Sequence, residues 1–158
     1  MKILVMRHGD AEAPKTDDAS RMLTDYGRQQ AAKIGQWLAA SAFVPGLMIV
    51  SPYRRAQETA NIVLSHLSEK PECRTDKGIT PEGSPNRVLD VLAKIKDQRV
   101  IMLVSHMPFV SDFIDVAVRG TSGVSLSPLP TAGLAMLEAD IISRGTAKLV
   151  NVIYPENC

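Results

Sequence analysis

Three short segments of the chain place reactive side chains directly after apolar runs. KILVM at 2–6 is followed by Arg7, His8 and Gly9, LMIV at 47–50 by Ser51 and then Arg55, and VIMLVS at 100–105 by His106. Arginine and histidine side chains can hold an anion, and a neutral imidazole can also act on one. Each has an ordinary alternative: His8 as a satisfied loop histidine, Arg7 as a surface cation, Arg55 as a solvated helix residue, His106 as a helix-capping side chain. Four such residues at equivalent places are hard to explain by packing.

The elements that must position them can be read from pattern. The run at 2–6, with β-branched members and closed by glycine, reads as a buried strand. A loop rich in Asp, Pro and Lys follows. From Thr24, TDYGRQQAAKIGQWLAA sets Ala31, Ile34, Trp37 and Leu38 at helical spacing, with Thr24 as N-cap and Asp25 in the first turn. Residues 47–50 read as the next strand. The helix YRRAQETANIVLSHL follows Ser51 and Pro52, in the cap-then-proline order of helix starts. ECRTD forms a short strand, Ser84 and Pro85 open a helix over 86–97, and residues 100–105 form the strongest strand. After a helix near 108–119, AGLAMLEAD and AKLVNVIY flank the turn-forming SRGT as an antiparallel hairpin.

Alternating strands and helices imply βαβ crossovers. The fold class is therefore α/β: a three-layer α/β/α sandwich with a mostly parallel central sheet and a C-terminal antiparallel hairpin. In such sheets ligands bind beyond the carboxyl ends of the strands, so the three reactive segments can converge although they lie far apart in sequence.

Composition limits the partner. The 158 residues make one domain, 1–158, and 45% hydrophobic with 22% charged residues is the balance of a soluble globular chain. A net charge of +1 gives no global field for nucleic acid or an anionic membrane, so any anion site is local. No stretch reaches the roughly 20 apolar residues needed to span a bilayer, and the first apolar run is too short for a signal peptide. Cys73 and Cys158 lack metal-type spacing and read as free thiols in a reducing, cytoplasmic compartment. No apolar surface stripe is left over, so a monomer is expected.

The segments RHGDAE, RMLTDYGRQQA, SPYRRAQETA and VSHMP, in this order, resemble the histidine phosphatase superfamily, the phosphoglycerate mutase-like proteins. The resemblance implies that His8 is a phosphorylated nucleophile with Arg7, Arg55 and His106 around the phosphoryl group, and that no cofactor or metal takes part. It also marks Arg21 as a second phosphate or substrate contact, with an ordinary loop arginine as the equal alternative, and Ser51 as substrate-binding. The chemistry agrees. Neutral imidazole is a capable nucleophile near pH 7, and planar, permanently charged arginines suit a group whose charge lies on several oxygens. Gly9 would let backbone approach the anion. Adjacent helix residues point about 100° apart, so only one of Arg54 and Arg55 faces the site; the SPxxR spacing selects Arg55, and Arg54 faces solvent or an acidic partner.

The chain departs from the family where many members carry an acid, after the third strand, that protonates the leaving oxygen. Here DKGITPEGSPN offers only Glu82, as a possible general acid or a solvated loop residue. A sugar or serine alkoxide leaves poorly without a proton donor, whereas imidazole leaves easily because its ring is protonated near neutral pH. A weak or absent acid therefore points to P–N substrates. The short segment before VIMLVS, without the insertions of mutases, points to an open site. In both respects the chain resembles the SixA-type phosphohistidine phosphatases of bacteria. The implied partner is a histidine-phosphorylated protein: the phosphotransfer domain of a sensor kinase in a two-component relay, or a phosphocarrier of the sugar phosphotransferase system. The alternatives are a small-molecule phosphate-ester phosphatase using Glu82, and a non-catalytic phosphohistidine-binding module.

Overall fold

The structure is a computed structural model, described here for residues 1–95, 99–123 and 128–158. Among the described residues six strands form one sheet: β1 (Lys2–Arg7), β2 (Leu47–Val50), β3 (Glu72–Thr75), β4 (Ile101–Ser105), β5 (Leu134–Glu138) and β6 (Lys148–Ile153). Their spatial order is β3-β2-β4-β1-β5-β6. The first four are mutually parallel, β5 runs antiparallel to β1, and β6 antiparallel to β5. The α/β architecture is completed, among the described residues, by the helices α1 (Asp25–Ala40), α2 (Arg54–His66), α3 (Pro85–Leu92) and α4 (Phe109–Arg119).

The central strands read as continuous apolar runs because both their faces are covered. Leu4, Met6, Met48, Val50, Met102 and Val104 pack with Ile34 and Leu38 of α1 and with Ala56, Ala60 and Val63 of α2. The alternate residues Ile3, Val5, Leu47, Ile49, Ile101 and Leu103 pack with Leu89 and Leu92 of α3 and with Phe109 and Phe113 of α4. Period-two alternation along each strand thus divides one apolar run between two cores. The edge strand β3 has no buried residue.

Helix starts follow the sequence except at α2. Thr24 Oγ1 accepts from Gly27 N at 3.0 Å, and Ser84 Oγ accepts from Arg87 N. Ser51 does not cap α2: the N-cap residue is Tyr53, which makes no side-chain capping bond, and the Ser51 hydroxyl is committed to His106. The helix expected over 86–97 ends at Leu92. There the Ala93 N–H is shared between Leu89 and Val91, and Ile95 N bonds Leu92 O, which tightens the chain out of α geometry; positions 96 and 97 lie outside the described residues. The hairpin connection is longer than SRGT, running from 139 to 147. The acidic loop after β1 is organised rather than open. An Ala11–Leu23 bridge and a Glu12 N to Met22 O bond at 2.9 Å close it, with a 3₁₀ turn at Asp18–Ser20 at its tip.

Candidate active site

The strand order places the three reactive segments side by side. β4 lies between β1 and β2, and its register pairs Arg7 with Ser105 and Val50 with Val104. The ladder continues one step past the strands: His8 N bonds Ser105 O at 2.9 Å, and Ser51 N bonds Val104 O at 3.0 Å. The segment before β5 closes the far side, with Ala132 N on His8 O at 2.9 Å and Arg7 Nη1 on Leu129 O at 2.9 Å. Both α2 and α4 begin at this end of the sheet, adding the partial positive charge of helix N-termini.

His8 is buried, and its ring is fixed in one tautomer. Nδ1 lies 2.6 Å from the Gly9 carbonyl, which only accepts, so Nδ1 carries the proton. Nε2 therefore keeps its lone pair, which accepts from Arg55 Nε at 3.1 Å. Burial, and then the charges of Arg55, Arg7 and Arg21, push the His8 pKa down to about 4, against the opposing Gly9 bond. At neutral pH this is an uncharged imidazole with its free lone pair directed at a cation.

Arg55 is buried in the first turn of α2 and donates from all three nitrogens. Besides Nε on His8, Nη1 bonds Asp18 O at 2.7 Å and Nη2 bonds Asp18 Oδ2 at 3.0 Å. Its neighbour Arg54 turns outward to Glu58, Nε to Oε1 at 3.0 Å, as helix geometry requires. Arg7 loses some basicity through burial but keeps its charge, and its buried Nε has no hydrogen-bond partner among the described residues.

His106 lies against His8, ring centroids 5.1 Å apart, and against Tyr53 at 5.0 Å. Its Nε2 is 2.6 Å from Ser51 Oγ. Tyr53 N donates to that hydroxyl, whose remaining lone pair and proton allow it either to accept from Nε2 or to donate to it. The other ring nitrogen, Nδ1, is buried and unpartnered among the described residues. Burial, then His8 and Arg55, lower the His106 pKa to about 2. Buried polar atoms without a partner are uncommon in folded proteins, and each calls for an explanation such as a bound ligand. Arg7 Nε and His106 Nδ1 are two such atoms, on side chains whose charge or ring bears on His8.

The remaining candidates divide. Arg21 joins the cluster: Nη1 bonds Asp18 Oδ1 at 2.9 Å and Nε bonds Glu12 O at 2.8 Å. Ser51 is fully buried behind His106 and acts on it. Gly9 differs from the expectation of close backbone approach to an anion. A Cβ there would lie 2.5 Å from Gly27 O, and its N–H donates to Thr59 Oγ1 at 3.0 Å, so the glycine lets the loop seat against α1. Glu82 is exposed in the turn before α3, and its charge is felt at Tyr53, which places it at the rim.

Two residues of the constellation had no role in the sequence reading. Thr59 lies within SPYRRAQETA, one helical turn beyond Arg55; its hydroxyl donates to Arg55 O at 2.7 Å while accepting from Gly9 N. Its position at i+4 was the available signal. Asp18, bridging Arg55 and Arg21, sits in an aperiodic acidic loop and gave none. Among the described residues no group of three or more His, Cys, Asp or Glu side chains is placed to hold a metal ion, and no helix is long and apolar enough to cross a membrane.

A cradle of guanidinium and imidazole donors around a lone pair can bind a tetrahedral oxyanion and attack its centre. Comparison with known proteins points the same way. Residues 3–80 match the model of the histidine phosphatase superfamily, branch 1. A phosphohistidine phosphatase SixA homolog of Haemophilus influenzae is 36% identical over 143 residues, covering 85% of this chain and 87% of that protein. The chain belongs to the histidine phosphatase superfamily. Within that superfamily it is SixA-type and a phosphatase. Phosphohistidine phosphatase SixA of Escherichia coli is 26% identical over 148 residues, covering 92% of this chain and 90% of its own. The solved structure of the protein histidine phosphatase SixA complexed with tungstate shares the fold, with a TM-score of 0.88 at 24% identity over 99% of both chains.

Proposed function

We propose that this histidine phosphatase removes phosphate from a histidine-phosphorylated signalling or phosphocarrier protein through a phospho-His8 intermediate. The observation that carries the reading is the His8 ring: neutral, locked by Gly9 O with Nε2 unprotonated and accepting from Arg55, and packed against the His106 ring. In the first step the Nε2 lone pair forms a bond to phosphorus. The P–N bond to the substrate imidazole breaks, and its electron pair stays on the departing nitrogen. Water then attacks phospho-His8 and releases inorganic phosphate, restoring the neutral ring. Splitting the transfer into two displacements is the usual gain of covalent catalysis. Arg55 Nε exchanges its bond to His8 for one to a phosphoryl oxygen, and Arg7 and His106 bind the others. The cationic cradle thus meets the charge spread over the transferring group.

The histidine-bound substrate is favoured by the place of Glu82. An alkoxide leaving group needs a proton donor beside it, and Glu82 lies exposed in a rim turn rather than among the buried groups around His8. The curated relatives named above carry the same activity in their names. A phosphotransfer domain of a sensor kinase or a phosphotransferase-system phosphocarrier has the required exposed phosphohistidine. A second reading, a small-molecule phosphate-ester phosphatase using Glu82 as acid, draws on the nearness of its charge to Tyr53 beside His106.

The test compares phosphate release from a histidine-phosphorylated phosphotransfer domain with release from an aryl phosphate ester, using wild type, His8→Ala and Glu82→Gln. Preference for the phosphoprotein, lost in His8→Ala and kept in Glu82→Gln, is the expected result. Better turnover of the ester, dependent on Glu82, would replace this reading with the second.

A further inference from the structure

Arg55 stands between two groups: the nucleophilic Nε2 of His8 on one side and the carboxylate of Asp18 on the other. That carboxylate is 46% exposed, whereas the Arg55 side chain beneath it is nearly buried. Each of its oxygens accepts one bond, Oδ1 from Arg21 and Oδ2 from Arg55, although an ionised carboxylate can accept about four. An anion held at the mouth of an anion-binding cradle is costly for any phosphorylated ligand, because like charges repel at short range. The two arginines fix it there, and a 3₁₀ turn closed by the Ala11–Leu23 bridge carries it. Beyond holding Arg55 and Arg21, such a group with acceptor capacity to spare can meet something positive on the ligand.

We infer that Asp18 selects phosphohistidine by accepting a hydrogen bond from the distal ring N–H of the substrate imidazole. This rests on the function proposed above and names what the site reads beyond the phosphoryl group. When the distal nitrogen is protonated, the phosphorylated ring is a cation, and a carboxylate beside it favours that form. As His8 Nε2 bonds to phosphorus and the P–N bond breaks, the electron pair stays on the leaving nitrogen and the proton stays on the distal one. A neutral imidazole departs, and Asp18 remains ionised throughout. The hydrogen bonds from Arg21, and then from Arg55, hold its carboxyl below the usual range, as an acceptor rather than an acid requires. An ester oxygen has no distal N–H and gains nothing from Asp18 while meeting the same repulsion.

The experiment measures kcat/KM for a phosphohistidine domain and for an aryl phosphate ester in wild type, Asp18→Asn and Asp18→Glu. Asparagine removes the charge, while Arg55 keeps its bonds to the backbone carbonyl at position 18 and to His8 Nε2. The expected result is a loss in Asp18→Asn at least tenfold larger for phosphohistidine than for the ester. That excess loss should grow as pH rises through the titration of the substrate ring, and Asp18→Glu should restore part of it. Equal losses on both substrates at every pH would overturn the inference, leaving Asp18 as a group that only orients Arg55. Wild type that prefers the ester would instead overturn the phosphohistidine function itself.

Discussion

The proposed attack of His8 on phosphorus requires one ring nitrogen without a proton, and His8 keeps one so by two separate means. The Gly9 carbonyl fixes the proton on Nδ1, while burial and three arginines lower the pKa to about 4. Protonation, which would remove the lone pair, is therefore displaced from an ordinary histidine near 6.5 to much lower pH. Once the second ionisation of the phosphate ester itself is divided out, the acid limb of kcat/KM on an aryl phosphate, whose leaving group has no ring to titrate, should fall below pH 5. A limb near 6.5 would contradict the account of His8. Ser51 is the second test at this scale, since its hydroxyl is the partner of His106 Nε2. Ser51→Ala leaves Nε2 without that partner and frees the orientation and tautomer of the ring. A loss of about 1 to 2 kcal/mol of transition-state stabilisation, on the order of tenfold in kcat, is expected in steady-state assays.

At the scale of elements, the site depends on how the turn after β1 is seated between α1 and α2. Gly9 meets the first turn of α1 at Gly27, and its N–H is held by Thr59 one turn beyond Arg55. Thr59→Val keeps the shape but strands the buried Gly9 donor, at a cost of about 1 to 3 kcal/mol readable by urea unfolding. Gly9→Ala drives a Cβ into the Gly27 carbonyl, so stability and turnover should fall together; unchanged stability would contradict the packing role. Much of this scale was legible in the sequence. KILVM, LMIV and VIMLVS read as strands because buried parallel strands carry such runs, and Arg7, His8 and His106 follow from their ends, with Arg55 in the first turn of the helix after the second. The loop carrying Asp18 was not legible. Its path is set by contacts with Arg21 and Arg55 rather than by any periodicity. A second role of Gly9 was hidden for a similar reason: a glycine beside an anion site looks like an approach to the ligand, and only the tertiary contact shows that α1 occupies the space a side chain would need. Ser51 looked like a helix cap because Ser-Pro is one locally, but a tertiary bond to His106 takes its hydroxyl.

For the whole molecule, the strand order matters more than any single element. With β4 between β1 and β2, residues nearly a hundred positions apart meet at one level, and the antiparallel β5 brings the 129–133 segment against Arg7 and His8. Assembling two neutral histidines in a buried cationic setting makes stability depend on pH. Both pKa values are lowered in the folded chain, to about 4 and about 2, while the unfolded chain binds protons near 6.5. Below that value the unfolded state holds more protons, so stability is full above pH 7 and declines as pH falls toward 5. Linkage sets this at up to about 2 kcal/mol for each histidine at pH 5, or a fall of roughly 10 °C in Tm for the two together. Thermal melts across that range, with a shallower slope in His8→Gln, would check it. The central claim, transfer of phosphate through His8, is tested most directly by mixing the enzyme with a phosphotransfer domain carrying labelled phosphohistidine and quenching in base within milliseconds. The account predicts acid-labile, base-stable label on His8 before free phosphate appears, and none on His8→Ala. Phosphate release without labelled enzyme, or release that survives His8→Ala in a folded protein, would contradict it.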